Sequence, residues 1–350
     1  MFTHSENTRE LKFNMLQFSQ DQQVQDINHV LAQGITVGPL LYMPGFQKNV
    51  PKKLINGQFD NLTSIAFCLE DSIVDTSLEK AELTLLNTLG EISRNLSSIK
   101  KLPKIFIRIR NPKHLLDAFH LFFKYSHIIQ GYILPKFDMR NAEAYIDNLN
   151  KINNELDNNV LIMPTLESEN IANITTRYKE LENITQILQD VKHQVLNIRV
   201  GGNDFLRIFA LRCPVNYSIY DIGVVKNILV DIINVFVKDY IVSGPVWNYI
   251  GTNKDEEWAI GLKKELAYDK INGFIGKTAI HPCQVDLILE GMKVDQSDYA
   301  DALSILNWED ADLGVSRSKT SSRLNEVKCH LSWAYKTKIL GDFYGVRGKV

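Results

Sequence analysis

Apolar positions along the chain follow two alternating rhythms. Short, dense runs at residues 40–43, 64–69, 105–109, 132–134, 160–163 and 196–200 read as strands. Between them lie longer stretches, such as 114–127, 142–156 and 171–191, whose apolar residues recur every three or four positions. That is the period of a helix with one buried face. A crossover of this length joins parallel strands. Two later runs extend the pattern: residues 242–249, interrupted by Gly244-Pro245, and residues 274–280. Eight strand–helix units in roughly 250 residues predict a (β/α)₈ barrel. An open doubly wound sheet fits less well, because no phosphate-binding glycine fingerprint follows the first run.

The pattern divides the chain into three parts. Residues 1–33 are polar and Gln/Asn-rich and form an extension with one weak helix; residues 34–292 carry the barrel; residues 293–350 combine helices with a charged loop, placed to cap a barrel or reach a neighbouring subunit. With 45% hydrophobic and 23% charged residues the composition is that of a globular protein. A net charge of -2 gives no general attraction to nucleic acid, and the lysine pairs 52–53, 100–101 and 263–264 are scattered, as on solvated faces. Cysteines 68, 213, 283 and 329 have neither metal-ligand spacing nor the density of a disulfide scaffold, so free thiols in a cytoplasmic protein are expected. The first thirty residues contain Glu6, Arg9 and Glu10 and no apolar core of an export signal, and the most apolar helical run, 228–237, is broken by Asp231. Neither export nor a membrane span is expected.

In a barrel of this kind chemistry gathers at the carboxyl ends of the strands. Glu70 and Asp71 close the second run, Arg108 and Arg110 the third, Lys136 follows the fourth, Glu167 the fifth and Asp204 the sixth. Neighbouring strands stand about 4.8 Å apart, so Glu167 and Asp204 can bring carboxylate oxygens to one ion. Two hard oxygen ligands favour Mg²⁺, or Mn²⁺ in its place, with positions left for water and substrate. Across the mouth, the planar fork of Arg108 can take a substrate carboxylate or carbonyl, or instead pair with Glu70 or Asp71. Gly201-Gly202 ahead of Asp204 lets the backbone turn closely beneath the ion.

Taken in order, seven segments carry a resemblance: residues 41–45 (LYMPG), 69–72 (LEDS) with Lys80 downstream, 107–109 (IRI), 133–136 (ILPK), 166–168 (LES), 201–204 (GGND), and 273–277 (GFIGK) running into 280–284 (IHPCQ). Together they resemble the citrate lyase β-subunit and malyl-CoA lyase family, the HpcH/HpaI aldolase and citrate lyase group, over residues 38–290. The overall divergence is similar to the stand-alone branch associated with stress or tellurite-resistance gene sets. The resemblance implies a carbon–carbon lyase or aldolase that acts on a small 2-keto or 2-hydroxy acid through a metal-stabilised enolate. It further implies that Glu167 and Asp204 ligate Mg²⁺ and that Arg108 holds the cleaved fragment. Glu70 and Asp71 would order metal-bound water, and Lys136 would stand on the pocket floor beside those acids or in a structural ion pair with them. Lys277 and His281 would lie near the substrate tail, although His281-Pro282 also suits a plain turn. A homo-oligomer with shared sites is implied as well.

Two departures bear on these expectations. Where the family begins its first strand with basic and serine residues near coenzyme A, this chain has Val37-Gly38-Pro39, which leaves a coenzyme A ester open as a substrate. Where the family carries a C-terminal acid/base aspartate, the chain reads Arg323-Leu324-Asn325-Glu326. Asn325 cannot exchange a proton, so Glu326 or a water would serve. Two alternatives therefore stay open: a related barrel hydrolase or thioesterase, or an enzyme of the same fold acting on a phosphorylated or nucleotide-like acid, and a catalytically inactive scaffold.

Overall fold

Eight parallel strands form one sheet in the order β7-β6-β5-β4-β3-β2-β1-β8 in the computed structural model, which describes residues 22–156, 159–308, 313–318 and 323–348. The strands are β1 (Pro39–Pro44), β2 (Ser64–Cys68), β3 (Lys104–Arg108), β4 (Ile129–Leu134), β5 (Leu161–Leu166), β6 (Ile198–Val200), β7 (Val242–Ser243) and β8 (Lys277–Ala279). The sheet curls back on itself. Gly244 bridges Lys277, the Ile275 N–H donates to the Val242 carbonyl at 2.8 Å, and the Gly244 N–H donates to the Gly276 carbonyl at 3.0 Å. Gly276 has φ +80 there, and a Cβ on it would press on the Gly38 carbonyl at 2.8 Å, so only glycine completes this seam.

Helices alternate with the strands: α1 (Gln22–Ile35) precedes the sheet, and α2 (Leu78–Arg94), α3 (Pro112–Phe122), α4 (Ala142–Asn153), α5 (Ile174–Gln189), α6 (Gly202–Ile208), α7 (Gly223–Phe236), α8 (Glu257–Ile271) and α9 (Val285–Met292) follow in turn. Their starts are written in the sequence. Asn111 accepts the His114 N–H at 2.9 Å ahead of Pro112, and Asn173 accepts the Thr175 N–H at 3.0 Å. Both faces of the sheet are covered, which explains why β2 is buried at every position.

The expected strands are all present, with shifted ends. β5 runs to Leu166 instead of stopping at Met163, because Pro164 is tolerated where the ladder to β6 lapses between Ile162–Val195 and Thr165–Arg199. Gly244-Pro245 cuts β7 to two residues.

Residues 37–291 form one unit. The other comprises the described parts of residues 1–36 and 292–350. In it β9 (Val294–Asp295) pairs with β12 (Val346–Arg347), β10 (Val315–Arg317) pairs antiparallel with β11 (Leu324–Glu326), and α10 (Gln296–Leu306) packs on α11 (Val327–Tyr344) through Ala302, Ile305 and Ala334. The Tyr344 hydroxyl donates to the Ile35 carbonyl at 2.8 Å and ties α1 to this unit. The acidic and basic residues expected at positions 6, 9 and 10, and part of the charged loop expected near the C-terminus, lie outside the described residues. Among the described residues no helix is long and apolar enough to cross a membrane.

Candidate active site

A cavity of about 430 Å³ opens where the carboxyl ends of β1, β2, β3, β5, β6 and β8 converge, and Asp71, Arg108, Glu167, Arg199 and Asp204 all line it. Glu167 directly follows β5 and is 3% exposed. One of its oxygens accepts the Lys136 N–H at 2.9 Å, and the other faces Gly201, where any Cβ would collide with the carboxylate. Glycine is therefore required next to this acid. Asp204 sits in the first turn of α6, and among the described residues its only ion pair is with Arg207 at 3.3 Å, a side chain 66% exposed. Burial first, and the Asp204 carboxylate second, push the Glu167 carboxyl up to about 8.

These residues suit a hard divalent ion: oxygen donors just beyond the ends of adjacent strands, a glycine that keeps the space beside one of them clear, and a buried carboxyl short of positive charge. Among the described residues no group of three His, Cys, Asp or Glu side chains is arranged to hold a metal ion, so water or substrate would complete the coordination shell of an ion held by these two carboxylates.

Beside this pair lies a denser network. Arg108 meets Glu70 and Asp71, each at 3.0 Å, and donates from Nε and Nη2 to the Cys68 sulfur at 3.3 and 3.2 Å. Lys136 Nζ reaches Glu70 at 2.5 Å and Asp71 at 3.4 Å. Arg108 thus makes the ion pairs that the sequence left as one of its two options, while still facing the cavity. Burial raises the Glu70 carboxyl against the pull of Arg108 and Lys136. Asp71 is half exposed; burial would raise it too, but Arg108, the Glu70 contact and Lys136 together hold it below the ordinary range. The resulting division is a buried, doubly paired glutamate behind an ionised aspartate at the cavity wall.

Three residues expected near the substrate have protein partners of their own. Lys277 is fully buried, with its ammonium against Glu265 at 2.9 Å and Asp269 at 2.8 Å on α8, so its charge is engaged by that helix. His281 accepts the Cys283 N–H at 3.2 Å and caps the turn after β8. The Lys136 ammonium stands beside Glu70 and Asp71 at the end of β2, the ion-paired placement that the sequence offered for it. Arg110 ties down the loop after β2 through the Leu69 carbonyl and Asp75. Glu326 belongs to the second unit, where its N–H donates to His330 Nδ1 at 3.0 Å. Residues 37–39 enter β1 at the amino-terminal end of the barrel, where the Val37 carbonyl accepts from Thr63 and Ser64.

Strand-end reasoning missed Tyr42, Thr165, Arg199 and Thr278, which also line the cavity. Their signal was a polar residue inside an apolar run, most plainly Arg199 within residues 196–200. Both arginines lie near the Tyr42 ring, Arg108 at 5.3 Å and Arg199 at 5.8 Å from its centroid.

Comparison with solved structures supports the architecture. A citrate lyase from Burkholderia xenovorans superposes with TM-score 0.65 at 15% identity, covering 89% of this chain and 94% of that one. The CitE protein of Mycobacterium tuberculosis, solved with magnesium, acetoacetate and coenzyme A, gives TM-score 0.58 at 14% identity, covering 88% and 99%. RipC from Yersinia pestis gives 0.51 at 13% identity, covering 74% and 95%. A search of curated proteins found no match. Residues 32–346 match the family described as C-C bond lyase of the TIM-barrel fold. With the barrel and its rim of charge in place, that match over most of the length makes the chain a lyase and a member of the C-C bond lyase family of the TIM-barrel fold.

Proposed function

We propose that this protein makes or breaks a carbon–carbon bond in a small 2-keto or 2-hydroxy acid held against Mg²⁺, or Mn²⁺ in its place, with Glu167 and Asp204 as the protein's ligands. The observation that carries this reading is the convergence of a 3%-exposed glutamate with a second carboxylate and Arg108 in one cavity. The magnesium and acetoacetate of the CitE complex are ligands of the same chemical kind. When bound, such a cation supplies Lewis-acid polarisation of the acid's carbonyl, worth several kcal/mol.

The protein's own groups do the rest. Arg108 is held by Glu70, Asp71 and Cys68 through Nε and Nη2, which leaves Nη1 to donate to a substrate oxygen where negative charge develops. Because Glu70 is engaged on both oxygens, it orients Arg108 and Lys136 and does not itself shuttle a proton. Asp71, ionised and at the cavity wall, orders the water through which the proton moves.

Calorimetric titration tests the assignment. Mg²⁺ should bind at one site that is lost in Glu167→Ala and in Asp204→Ala, and with it about 10³-fold or more of any turnover. Unchanged Mg²⁺ affinity in both variants would falsify the ligand assignment. Screening for release of pyruvate, glyoxylate, oxaloacetate or acetyl-CoA identifies the fragment, and the last of these reports whether a coenzyme A ester is used.

A further inference from the structure

Arg199 stands apart from the other deeply buried cations of the barrel unit. Arg108 has Glu70 and Asp71, Arg177 has Asp231 at 2.7 Å, and Lys277 has Glu265 and Asp269. Arg199, 2% exposed, forms no ion pair with a carboxylate among the described residues. Its Nη2 donates to the Thr278 hydroxyl, the guanidinium also meets the neutral Tyr42 side chain, and Nη1 is buried with no hydrogen-bond partner among the described residues. A guanidinium stays charged even when buried, so withdrawing it from water without a counter-ion is costly.

The surroundings repeat the pattern. Register pairing sets Thr165 of β5 and Ser243 of β7 on either side of Arg199, and both hydroxyls are buried without partners among the described residues. Thr165 and Arg199 line the same cavity as Glu167 and Asp204. Thr165 lies in β5 two residues before Glu167, which directly follows that strand, a separation of about 6.6 Å along the strand direction. A four- or five-carbon acid spans that distance.

We infer that Arg199, with Thr165, binds a second acidic group of the substrate, a carboxylate or a phosphate, one layer below the Glu167–Asp204 end of the cavity. Arg199 thereby selects acids with two anionic ends over monocarboxylates. This assignment deepens the reading above and rests on it for the position of the first acid group.

Matched pairs of stable acids test it: racemic lactate against malate, and glycerate against 3-phosphoglycerate, titrated into the full chain with saturating Mg²⁺ and again with EDTA. The doubly acidic member of at least one pair should bind tenfold or more tighter than its partner, and the pair that shows the preference tells carboxylate from phosphate. Arg199→Met should abolish the preference and Arg199→Lys should keep part of it. Thr165→Val should reduce it several-fold and supplies the answer where Arg199→Met fails to fold. Equal affinity within both pairs, or a preference untouched in folded Arg199→Met, overturns the inference. If binding ignores EDTA yet the preference follows Arg199, the metal reading fails and this one stands; Mg²⁺-dependent binding without any preference gives the reverse.

Discussion

Two clusters of buried charge occupy the same barrel and are built to opposite specifications. Around Lys277 each charge is answered by a charge or a hydrogen-bond donor. The ammonium meets Glu265 and Asp269, the Tyr220 hydroxyl donates to Asp269 at 2.6 Å, and Ser218 and the Ile219 N–H donate to Glu265 at 3.1 and 3.0 Å. At the carboxyl rim the pairing is left open: among the described residues Glu167 is short of positive charge, Arg199 has no anion and the Thr165 hydroxyl has no partner. A closed cluster holds β8 to α8; an open one is completed by what enters it. Buried charge by itself does not mark a site, whereas incomplete pairing beside a cavity does.

The contrast can be broken at several points. The largest effect on stability belongs to the closed cluster. Lys277→Met leaves two buried carboxylates facing each other and should cost about 3–5 kcal/mol, read as a lowered denaturation midpoint. Mg²⁺ affinity below the new melting temperature should be retained. A loss of Mg²⁺ binding with stability intact would return Lys277 to the substrate site.

Next comes the pH dependence of the open cluster. Glu167 is raised on folding from an ordinary 4.5 to about 8, so the folded protein holds that proton more tightly than the unfolded chain does. Stability of the metal-free protein therefore falls as pH rises between those values, by roughly 2 kcal/mol from pH 6 to pH 8. Mg²⁺ competes with the proton, so the rise in melting temperature that it causes should be greater at pH 8 than at pH 6. Glu167→Gln should flatten both trends, and a metal-free melting temperature that climbs from pH 6 to pH 8 would contradict the assignment.

The smallest effect sharpens the comparison. Arg207 is the one cation paired with Asp204 among the described residues, and it is mostly exposed. Arg207→Ala should change stability by no more than about 0.5 kcal/mol. A loss well above that would mean that Asp204 is committed to Arg207 and is not available to an ion.

The same contrast explains what the sequence disclosed. The rim was legible because apolar runs end in Glu70, Asp71, Arg108, Glu167 and Asp204, and parallel strands send all their carboxyl ends to one side. What lies within a run was harder to read. Lys277 and Thr278 are neighbours on a three-residue strand, yet one turns to α8 and the other to the cavity, and only the register of β8 against β1 decides which. Arg199 sat unnoticed in an apolar stretch for the same reason. Lys136 was expected to act through its ammonium alone, whereas its backbone also holds Glu167, a contact that no side-chain pattern can announce.

That double use sets two requirements on one position. Lys136 has φ 50, a left-handed conformation that a side chain makes unfavourable by about 1–2 kcal/mol. Glycine would relieve the backbone and still offer its N–H to Glu167, but it would strip Glu70 of an ammonium. A long cationic chain grips Glu70 only by tolerating the conformation. No single replacement satisfies both, so a route to greater stability that begins at this residue also loosens the acids that follow β2.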